Sequence, residues 1–245
     1  MSCLRPYEPL DTLKPVADDI WIVDGPVISF GFGFLKAPFS TRMTIVRLAG
    51  GRLFVHSPTP LPASLEAEVR ALGEVAYLVA PNRIHYWWLA DWQAAFATAE
   101  AHVAPRVLDQ AKGRIAGPVS ELGAAPAPWS GEIDEVAVAG AYMTEFVFFH
   151  RASKTAIVTD LIENFELDRV DCRWLRLLLR LAGIADPNGT TPPDLRQTFR
   201  RNRQAVKAAV EKIVAWAPER VILAHGRWYA EHGTAELRRA LGWIL

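Results

Sequence analysis

The stretch Tyr77-Leu-Val-Ala-Pro-Asn-Arg-Ile-His85 decides the fold class, because an apolar run of strand length ends there in polar residues. Residues 75–79 are nearly all apolar, which is typical of a strand buried on both faces of its sheet. A β-hairpin that turns at Gly50-Gly51 precedes this strand, with residues 52–56 as its return strand. Between them, residues 62–72 place leucine and valine at spacings of four and three, which predicts a helix. This order of elements indicates an α/β fold.

Strands and helices continue to alternate along the rest of the chain. Further strands are predicted at residues 19–23, 27–35, 41–48, 135–139, 145–150, 155–159 and 221–224. Further helices are predicted at residues 81–92, 168–181, 194–216 and 231–244. No internal repeat or sharp change of composition divides the sequence, so we expect one domain over residues 1–245.

Composition excludes several classes of protein. The 245 residues are 51% hydrophobic, which rules out an intrinsically disordered chain. The 27 basic and 27 acidic side chains cancel, so we expect no nucleic-acid partner. No apolar run approaches the ~20 residues of a membrane span, and the first residues contain no apolar signal segment. Two cysteines are too few for a disulfide framework. These features predict a cytoplasmic protein with no membrane partner, and they leave the oligomeric state open.

Side chains that can bind a metal ion follow four of the predicted strands. His56 and Asp160 end two strands, His85 lies just past a third, and His225 ends the last one before a glycine. In open α/β folds the carboxyl ends of strands are where sites are built. Imidazole and carboxylate groups are ligands that zinc, iron or manganese accept. The pattern therefore predicts that these four side chains converge, although a single histidine after a strand is more often an ordinary hydrogen-bonded residue.

At these residues the chain resembles the metallo-β-lactamase fold superfamily, and within it a branch described only as a domain of unknown function. The resemblance implies a four-layer αββα sandwich with a metal site along one edge of its two sheets. It covers much of residues 7–228 and rests on the passages YEPLDTLKPVADDIWIVDGP, TRMTIVRL, LFVHSPTPL, VAPNRIHYWW, FFHRASKTAIVTDLIENF and ILAHGRW.

The chain departs from the metal-binding pattern of active members of that superfamily. Asn82 stands where the first histidine of a His-x-His-x-Asp-His run is expected, and Ala141 stands where a further ligand histidine is expected. Asp160 matches the bridging aspartate, and His225 matches the final histidine. His56 stands where the family has a structural aspartate. The resemblance therefore implies that the usual dinuclear site cannot form.

Two alternatives stay open for the site. One is a rebuilt mononuclear centre for zinc, iron or manganese, held by the four candidate ligands with Glu145 as a further one. The other is a site without metal that binds a small molecule. We place Asn82, Glu145 and Trp88 among the residues of the binding region, although a core aromatic is the more ordinary explanation of Trp88. The corresponding functions are a divergent, metal-dependent, hydrolase-like protein or a non-catalytic small-molecule-binding or interaction protein on the same fold.

A stripe of arginines supports the interaction alternative. Arg169, Arg173, Arg176 and Arg180 are spaced to share one face of the predicted helix at residues 168–181. A solvated face is the ordinary explanation, and an acidic partner is the alternative. Cys172 on the same helix is predicted to be a small buried hydrophobic residue.

Overall fold

Two β-sheets form the centre of the structure, a computed structural model that describes residues 3–32, 35–115 and 117–245. The first sheet has the strand order β1-β2-β3-β4-β5-β6-β7. Strands β1 to β4 are antiparallel neighbours, and β4 to β7 run parallel to one another. Its strands are β1 (Lys14–Ala17), β2 (Ile20–Phe32), β3 (Leu35–Arg47), β4 (Arg52–His56), β5 (Glu74–Ala80), β6 (Glu100–Val103) and β7 (Val119–Glu121).

The second sheet has the strand order β11-β10-β9-β8. Its strands are β8 (Ile133–Ala139), β9 (Thr144–His150), β10 (Thr155–Val158) and β11 (Arg220–Leu223). Strands β8, β9 and β10 are antiparallel, whereas β10 and β11 are parallel. Because β10 and β11 run in the same direction side by side, the residues that follow them leave the sheet at the same edge.

Seven α-helices are found within the described residues. They are α1 (Ala63–Leu72), α2 (Leu89–Ala95), α3 (Val107–Ala111), α4 (Arg173–Ala182), α5 (Pro193–Thr198), α6 (Arg203–Ala215) and α7 (Gly233–Ala240). None of them is long and apolar enough to cross a membrane.

Alternate residues of β9 divide the core into two layers. Phe146 and Phe148 pack toward the first sheet, where the Phe148 ring lies 5.3 Å from the ring of Phe54. Val147 and Phe149 point the other way and pack in the cluster that includes apolar residues of α6 and α7. The side chains of α1 and α2 pack with the first sheet. The result is the predicted αββα sandwich, in which each sheet buries one face against the other sheet and one against helices.

Two of the predicted helices are wrong in extent. The segment predicted as a helix at residues 81–92 is mostly turns, and α2 begins only at Leu89. The side-chain oxygen of Asn82 accepts the backbone amides of Ile84 and His85, which replaces the helical hydrogen bonds there. The helix predicted at residues 194–216 is broken between α5 and α6, where the Thr198 hydroxyl donates to the Leu195 carbonyl.

The expectation for Cys172 is wrong, because Cys172 forms a disulfide with Cys3. The two Cα atoms lie 5.2 Å apart, and 169 positions separate the residues in sequence. Spacing along the chain gives no sign of such a pairing. The cytoplasmic location stays a prediction, and it loses the support that it took from the cysteines.

The arginine stripe is also shorter than predicted. Helix α4 begins at Arg173, so Arg169 lies outside it, in a 3-10 turn where it pairs with Glu166. The guanidinium of Arg176 donates to the Val170 carbonyl. Arg173 and Arg180 are exposed. Half of the stripe is therefore engaged within the chain itself.

Candidate functional site

Three of the four predicted side chains converge beyond the carboxyl ends of their strands. The Nε2 atom of His85 lies 3.2 Å from Nε2 of His225 and 3.2 Å from Oδ2 of Asp160. The Nε2 atom of His225 lies 3.3 Å from Oδ1 of Asp160. Asp160 and His225 each stand two residues past the parallel strands β10 and β11, and His85 follows β5 of the other sheet. The cluster therefore bridges the edges of both sheets.

His225 is held in one orientation by strand β3. Its Nδ1 atom donates to the backbone carbonyl of Ser40 over 2.6 Å, and a carbonyl oxygen can only accept. Nδ1 therefore carries a proton, and Nε2 faces Asp160 and His85. The rings of Phe39 and Phe165 lie 5.3 Å and 6.5 Å from the imidazole and restrict its rotation.

A buried arginine fixes the turn that carries His225. Arg42 donates to the backbone carbonyls of Leu223, at 2.6 Å, and Gly226, at 2.9 Å. Its charge is balanced by Asp24 at 2.7 Å. Gly226 has a φ of 89°, and a Cβ atom there would lie 2.0 Å from the Asn164 carbonyl oxygen. Glycine is therefore required immediately after the histidine.

His85 and Asp160 are both oriented by Asn82. The Asn82 side-chain oxygen accepts the His85 amide at 3.1 Å, while its Nδ2 donates to Oδ2 of Asp160 at 2.5 Å. The same nitrogen lies 3.0 Å from the hydroxyl oxygen of Thr159. The Nδ1 atom of His85 is hydrogen-bonded to the hydroxyl of Ser57 at 2.7 Å, which turns Nε2 toward the cluster.

Glu145 on β9 holds the backbone from which Asp160 projects. Its two carboxylate oxygens accept the amides of Thr159, Asp160 and Leu161, each at 2.9 Å. Glu145 is buried and lies outside the three-residue cluster. Burial and then the charge of Asp160 raise the pKa of the Glu145 carboxyl, whereas the Thr159 amide lowers it. Its role in the structure is to position Asp160.

The electrostatics of the cluster favour an ionised Asp160. Burial opposes the charge of this carboxylate, but His85 and His225 outweigh burial and lower the pKa of Asp160 below its usual value. Burial likewise opposes protonation of His85, and the Asp160 carboxylate outweighs it, so the pKa of His85 is raised. The cluster thus combines a carboxylate with two imidazoles whose Nε2 atoms face each other.

The donor set fits one divalent cation. Ligand atoms ~2.0–2.2 Å from a tetrahedral zinc ion lie about 3.3–3.6 Å from one another. The two histidine Nε2 atoms lie 3.2 Å apart, and each lies 3.2 or 3.3 Å from a different oxygen of Asp160, which is close to that range. Two histidines and one carboxylate also match sites for iron. The three donor residues all line a cavity, so an ion held by them would be accessible to a small molecule.

The expected convergence is wrong for His56. Its ring lies between Phe54 and Phe148, with ring centres 6.5 Å and 5.4 Å away, in the layer between the two sheets. Its Nε2 atom is buried and has no hydrogen-bond partner among the described residues. Burial, followed by the charge of His85, lowers the pKa of His56 to about 3. Successive strand residues face opposite sides of a sheet, and His56 is on the side that faces the core. Burial there favours the neutral ring.

The cluster opens into a cavity of about 700 Å³. Trp88 lines this cavity beside Trp87 and also packs against the core; its role in binding stays a prediction. Asn82 and Glu145 are not among its lining residues. Asn82 orients His85 and Asp160, and Glu145 holds the backbone of Asp160. The cavity walls include side chains from the β2–β3 hairpin, α4 and α5.

Sequence reasoning missed several residues of this site. Ser40 and Ser57 orient the two histidines, and no motif distinguishes them from other serines. Glu163, three residues after Asp160, lines the cavity, and burial followed by the charge of Asp160 raises the pKa of its carboxyl well above the usual value. Trp174 and Leu178 of α4 also line the cavity, and their spacing of four beside the arginine stripe was the available signal.

Comparisons with known proteins agree with this architecture. A family model described as "Domain of unknown function (DUF4336)" matches residues 17–175. Comparison with curated proteins gives no significant match.

Solved metallo-β-lactamase structures match nearly the whole chain. DIM-1 metallo-β-lactamase exposed to ceftazidime is 14% identical, with a TM-score of 0.61 and coverage of 97% of this chain and 95% of that one. FIM-1 from Pseudomonas aeruginosa, in a mono-zinc form, is 10% identical, with a TM-score of 0.61 and coverage of 95% and 94%. The enzyme from Pontibacter korlensis is 9% identical, with a TM-score of 0.59 and coverage of 95% and 97%. At this identity the likeness establishes the fold.

The first prediction concerns the Glu145 carboxylate. In the wild type the carboxylate oxygens accept three backbone amides, and glutamine would place an NH₂ group against some of these amides. Glu145→Gln should therefore lower the free energy of unfolding by about 2–4 kcal/mol. Glu121→Gln, at an exposed strand position, is the control and should change it by less than about 0.5 kcal/mol. Urea titrations measure both. Equal losses in the two variants would contradict the positioning role.

The second prediction concerns the pH dependence of stability. An unfolded histidine titrates near 6.5, whereas the pKa of buried His56 is about 3, so the unfolded state takes up the proton first. The wild type should therefore lose stability from His56 as pH falls through this window, by up to about 1.4 kcal/mol per pH unit. His56→Phe should lose less between those limits, measured by urea unfolding in excess chelator. Parallel pH profiles would show that His56 is already solvated in the folded state.

Proposed function

The chain belongs to the family described as a domain of unknown function (DUF4336), and on that premise we propose that it is a divergent, metal-dependent, hydrolase-like protein of the metallo-β-lactamase fold. The proposed metal centre is mononuclear and is held by His85, Asp160 and His225. The observation that supports it is the convergence of three donor groups beside a cavity. The two Nε2 atoms lie 3.2 Å apart, His85 lies 3.2 Å from Oδ2 of Asp160, and His225 lies 3.3 Å from Oδ1 of Asp160.

The side chains around the cluster divide the tasks of such a site. Ser40 and Ser57 bind the Nδ1 atoms of the two histidines, so both Nε2 atoms are directed at the same point. This arrangement is typical of ligand histidines, whose second nitrogen is bonded to a neighbouring group. When bound, a divalent ion supplies Lewis-acid polarisation of a substrate oxygen and activates a water molecule. Zinc, iron and manganese are the candidate ions.

Glu163 is the proposed source of a proton at this site. It lines the same cavity as the cluster, and burial, followed by the charge of Asp160, raises the pKa of its carboxyl well above the usual value, which favours the protonated form. A neutral carboxyl can donate a hydrogen bond to an oxygen of a bound molecule. Asp160 cannot take this role, since the two histidines lower its pKa and keep it ionised.

The alternative function is binding without catalysis. The apolar walls of the cavity favour it, since a protein that carries or senses a small molecule needs walls of this kind and no metal. Metal content and turnover separate the two functions. We propose no nucleic-acid partner, and an acidic partner at Arg173 and Arg180 stays a prediction.

The third prediction concerns metal content. Protein purified without chelator and without metal-affinity steps should contain about one zinc, iron or manganese ion per chain by elemental analysis. Asp160→Asn removes the charged donor with little change of shape and should reduce the content at least about tenfold. His56→Phe is the matched control, a histidine at another strand end that should keep its metal. A metal-free wild type, or equal loss in both variants, would end the proposal.

The fourth prediction concerns β-lactams and thioesters. Asn82 uses its amide to orient Asp160, and Ala141 offers no donor, so the ligands of a second ion are missing. Metal-loaded protein should therefore hydrolyse neither a chromogenic cephalosporin nor an acyl thioester at a measurable rate. Robust zinc-dependent turnover of either substrate would show that the site contains further ligands.

A further inference from the structure

We propose that an exposed apolar face of helix α4 docks on the surface of an anionic lipid bilayer. This face, which we call the α4 ridge, consists of Trp174, Leu177, Leu178 and Leu181. Arginines of the same helix border the ridge and supply the positive charge that acidic lipid headgroups would meet. The proposal needs neither the metal ion nor catalysis, so it goes beyond the proposed function.

Helix α4 has two apolar stripes, and the protein core covers only one of them. Leu175 and Leu179 form the covered stripe and pack in the small cluster that includes Leu4 and Phe165. The residues of the α4 ridge stand at positions i, i+3, i+4 and i+7, which places them on one face of the helix. Their exposed fractions are 52%, 56%, 52% and 76% in chain order. A contiguous group of large apolar side chains as exposed as this marks an interaction surface.

Arginines occupy the third face of α4, beside the ridge. Arg173, Arg176 and Arg180 stand at positions i, i+3 and i+7, and no acidic residue occurs in the helix. Arg173 and Arg180 are exposed and have no ion pair among the residues that the structure describes. Asp171, just before the helix, pairs with Arg5 at 3.4 Å. An arginine at the edge of an apolar face can reach acidic headgroups while its alkyl stem stays on the apolar surface.

The α4 ridge continues into the wall of the cavity. Trp174 and Leu178 line the cavity together with Trp87, which is 39% exposed. Exposed Lys36 and Asp194 also line it and have opposite charges, so the surplus of positive charge lies on α4. Tryptophan side chains are enriched at the boundary between lipid and water, because the ring is apolar at one end and polar at the other. Docking of the ridge would therefore bring the cavity wall to the lipid surface.

A bilayer fits this surface better than a second copy of the chain. A second copy would bring the same helix without acidic residues, so Arg173 and Arg180 would gain no opposite charge from it. Each side chain of the α4 ridge is more than half exposed, so the face protrudes. Fluid lipid adapts to a protruding face, whereas a protein partner needs a groove of matching shape.

The sequence predicts no membrane partner because it has no spanning run and no signal segment. A helix that lies on the surface of a bilayer requires neither of them. It requires an apolar face with basic residues beside it, and the burial of Leu175 and Leu179 shows which of the two apolar stripes of α4 is free for that role.

Vesicle sedimentation tests the proposal with the protein as purified. Vesicles of phosphatidylcholine with about 30% phosphatidylserine should bind the protein at least about tenfold more tightly than vesicles of phosphatidylcholine alone, in ~0.1 M salt. Excess chelator is present throughout, so that no metal ion bridges the protein to phosphatidylserine. An increase of the salt to about 0.5 M should weaken binding at least about fivefold, because salt screens the arginines. Equal binding to both kinds of vesicle, or binding to neither, would overturn the proposal.

A matched pair of leucines tests the location. Leu177 belongs to the α4 ridge and is not among the described residues that line the cavity, so its replacement leaves the cavity wall as it is. Leu177→Ser should weaken binding to the anionic vesicles about fivefold or more. Leu108→Ser, on α3 at 49% exposure, is the control and should stay within about twofold of the wild type. Thermal melts check that both variants fold. Equal affinities in the two variants would contradict docking through α4.

A matched pair of arginines tests the charge. Arg180→Gln should weaken binding to the anionic vesicles about fourfold or more and leave binding to phosphatidylcholine vesicles unchanged. Arg238→Gln, at an exposed position of α7, should stay within about twofold of the wild type. Equal effects of the two substitutions would show that the net charge of the chain matters and the α4 arginines do not, which would overturn the proposal.

Size-exclusion chromatography without lipid tests the competing occupant. The wild type and Leu177→Ser should elute alike over a range of concentrations. A dimer of the wild type that Leu177→Ser abolishes would show that a second copy covers the α4 ridge, and the proposal would be wrong.

Discussion

The carboxylate of Glu145 is the constraint on which the candidate site depends. It projects from β9 and accepts the three successive amides of Thr159, Asp160 and Leu161, at the point where β10 ends. These amides would otherwise be buried without partners, at a cost of about 1–3 kcal/mol each. One side chain therefore satisfies the backbone and fixes the position of Asp160. The second histidine depends on the other sheet, since Ser40 and Arg42 of β3 hold the turn at His225. The cluster can form only when both sheets have assembled.

The sequence predicted where the site lies better than it predicted which side chains form it. Strand ends are visible as the point where an apolar run stops, and parallel or neighbouring strands bring those ends to one edge. For this reason Asp160, His225 and His85 converge as predicted. His56 also follows the rule for strand ends but fails, because the rule says nothing about which face of the sheet a side chain occupies. Its ring points into the layer between the sheets, against Phe148. The predicted limits of two helices were wrong because side-chain hydrogen bonds compete with helical ones. Asn82 accepts the Ile84 amide, and Thr198 donates to the Leu195 carbonyl.

Asn82 connects two residues of the cluster through one side chain. The resemblance to the metallo-β-lactamase superfamily leads one to expect a histidine at this place. The asparagine instead accepts the His85 amide with its oxygen and donates to Asp160 with its nitrogen, so it satisfies both neighbours. An amide can do this because it carries a donor and an acceptor on one planar group. Asn82, which departs from the pattern that the resemblance implies, thus orients His85 and Asp160, two of the three residues of the cluster.

Helix α4 is the part of the site with the least support from the core. It packs Leu175 and Leu179 into a small cluster with Leu4, Phe165, Val170 and Ile184, separate from the two larger clusters of the sandwich. The opposite face of the helix carries the apolar residues at the cavity mouth, which contribute little to folding. The disulfide between Cys172 and Cys3 lies at the beginning of this helix and joins it to the N-terminal segment, whose Leu4 belongs to the same small cluster. A cross-link between residues 169 positions apart restricts the unfolded ensemble by closing a long loop. The disulfide therefore ties helix α4, which supplies Trp174 and Leu178 to the cavity wall, to the N-terminal segment that packs beneath it.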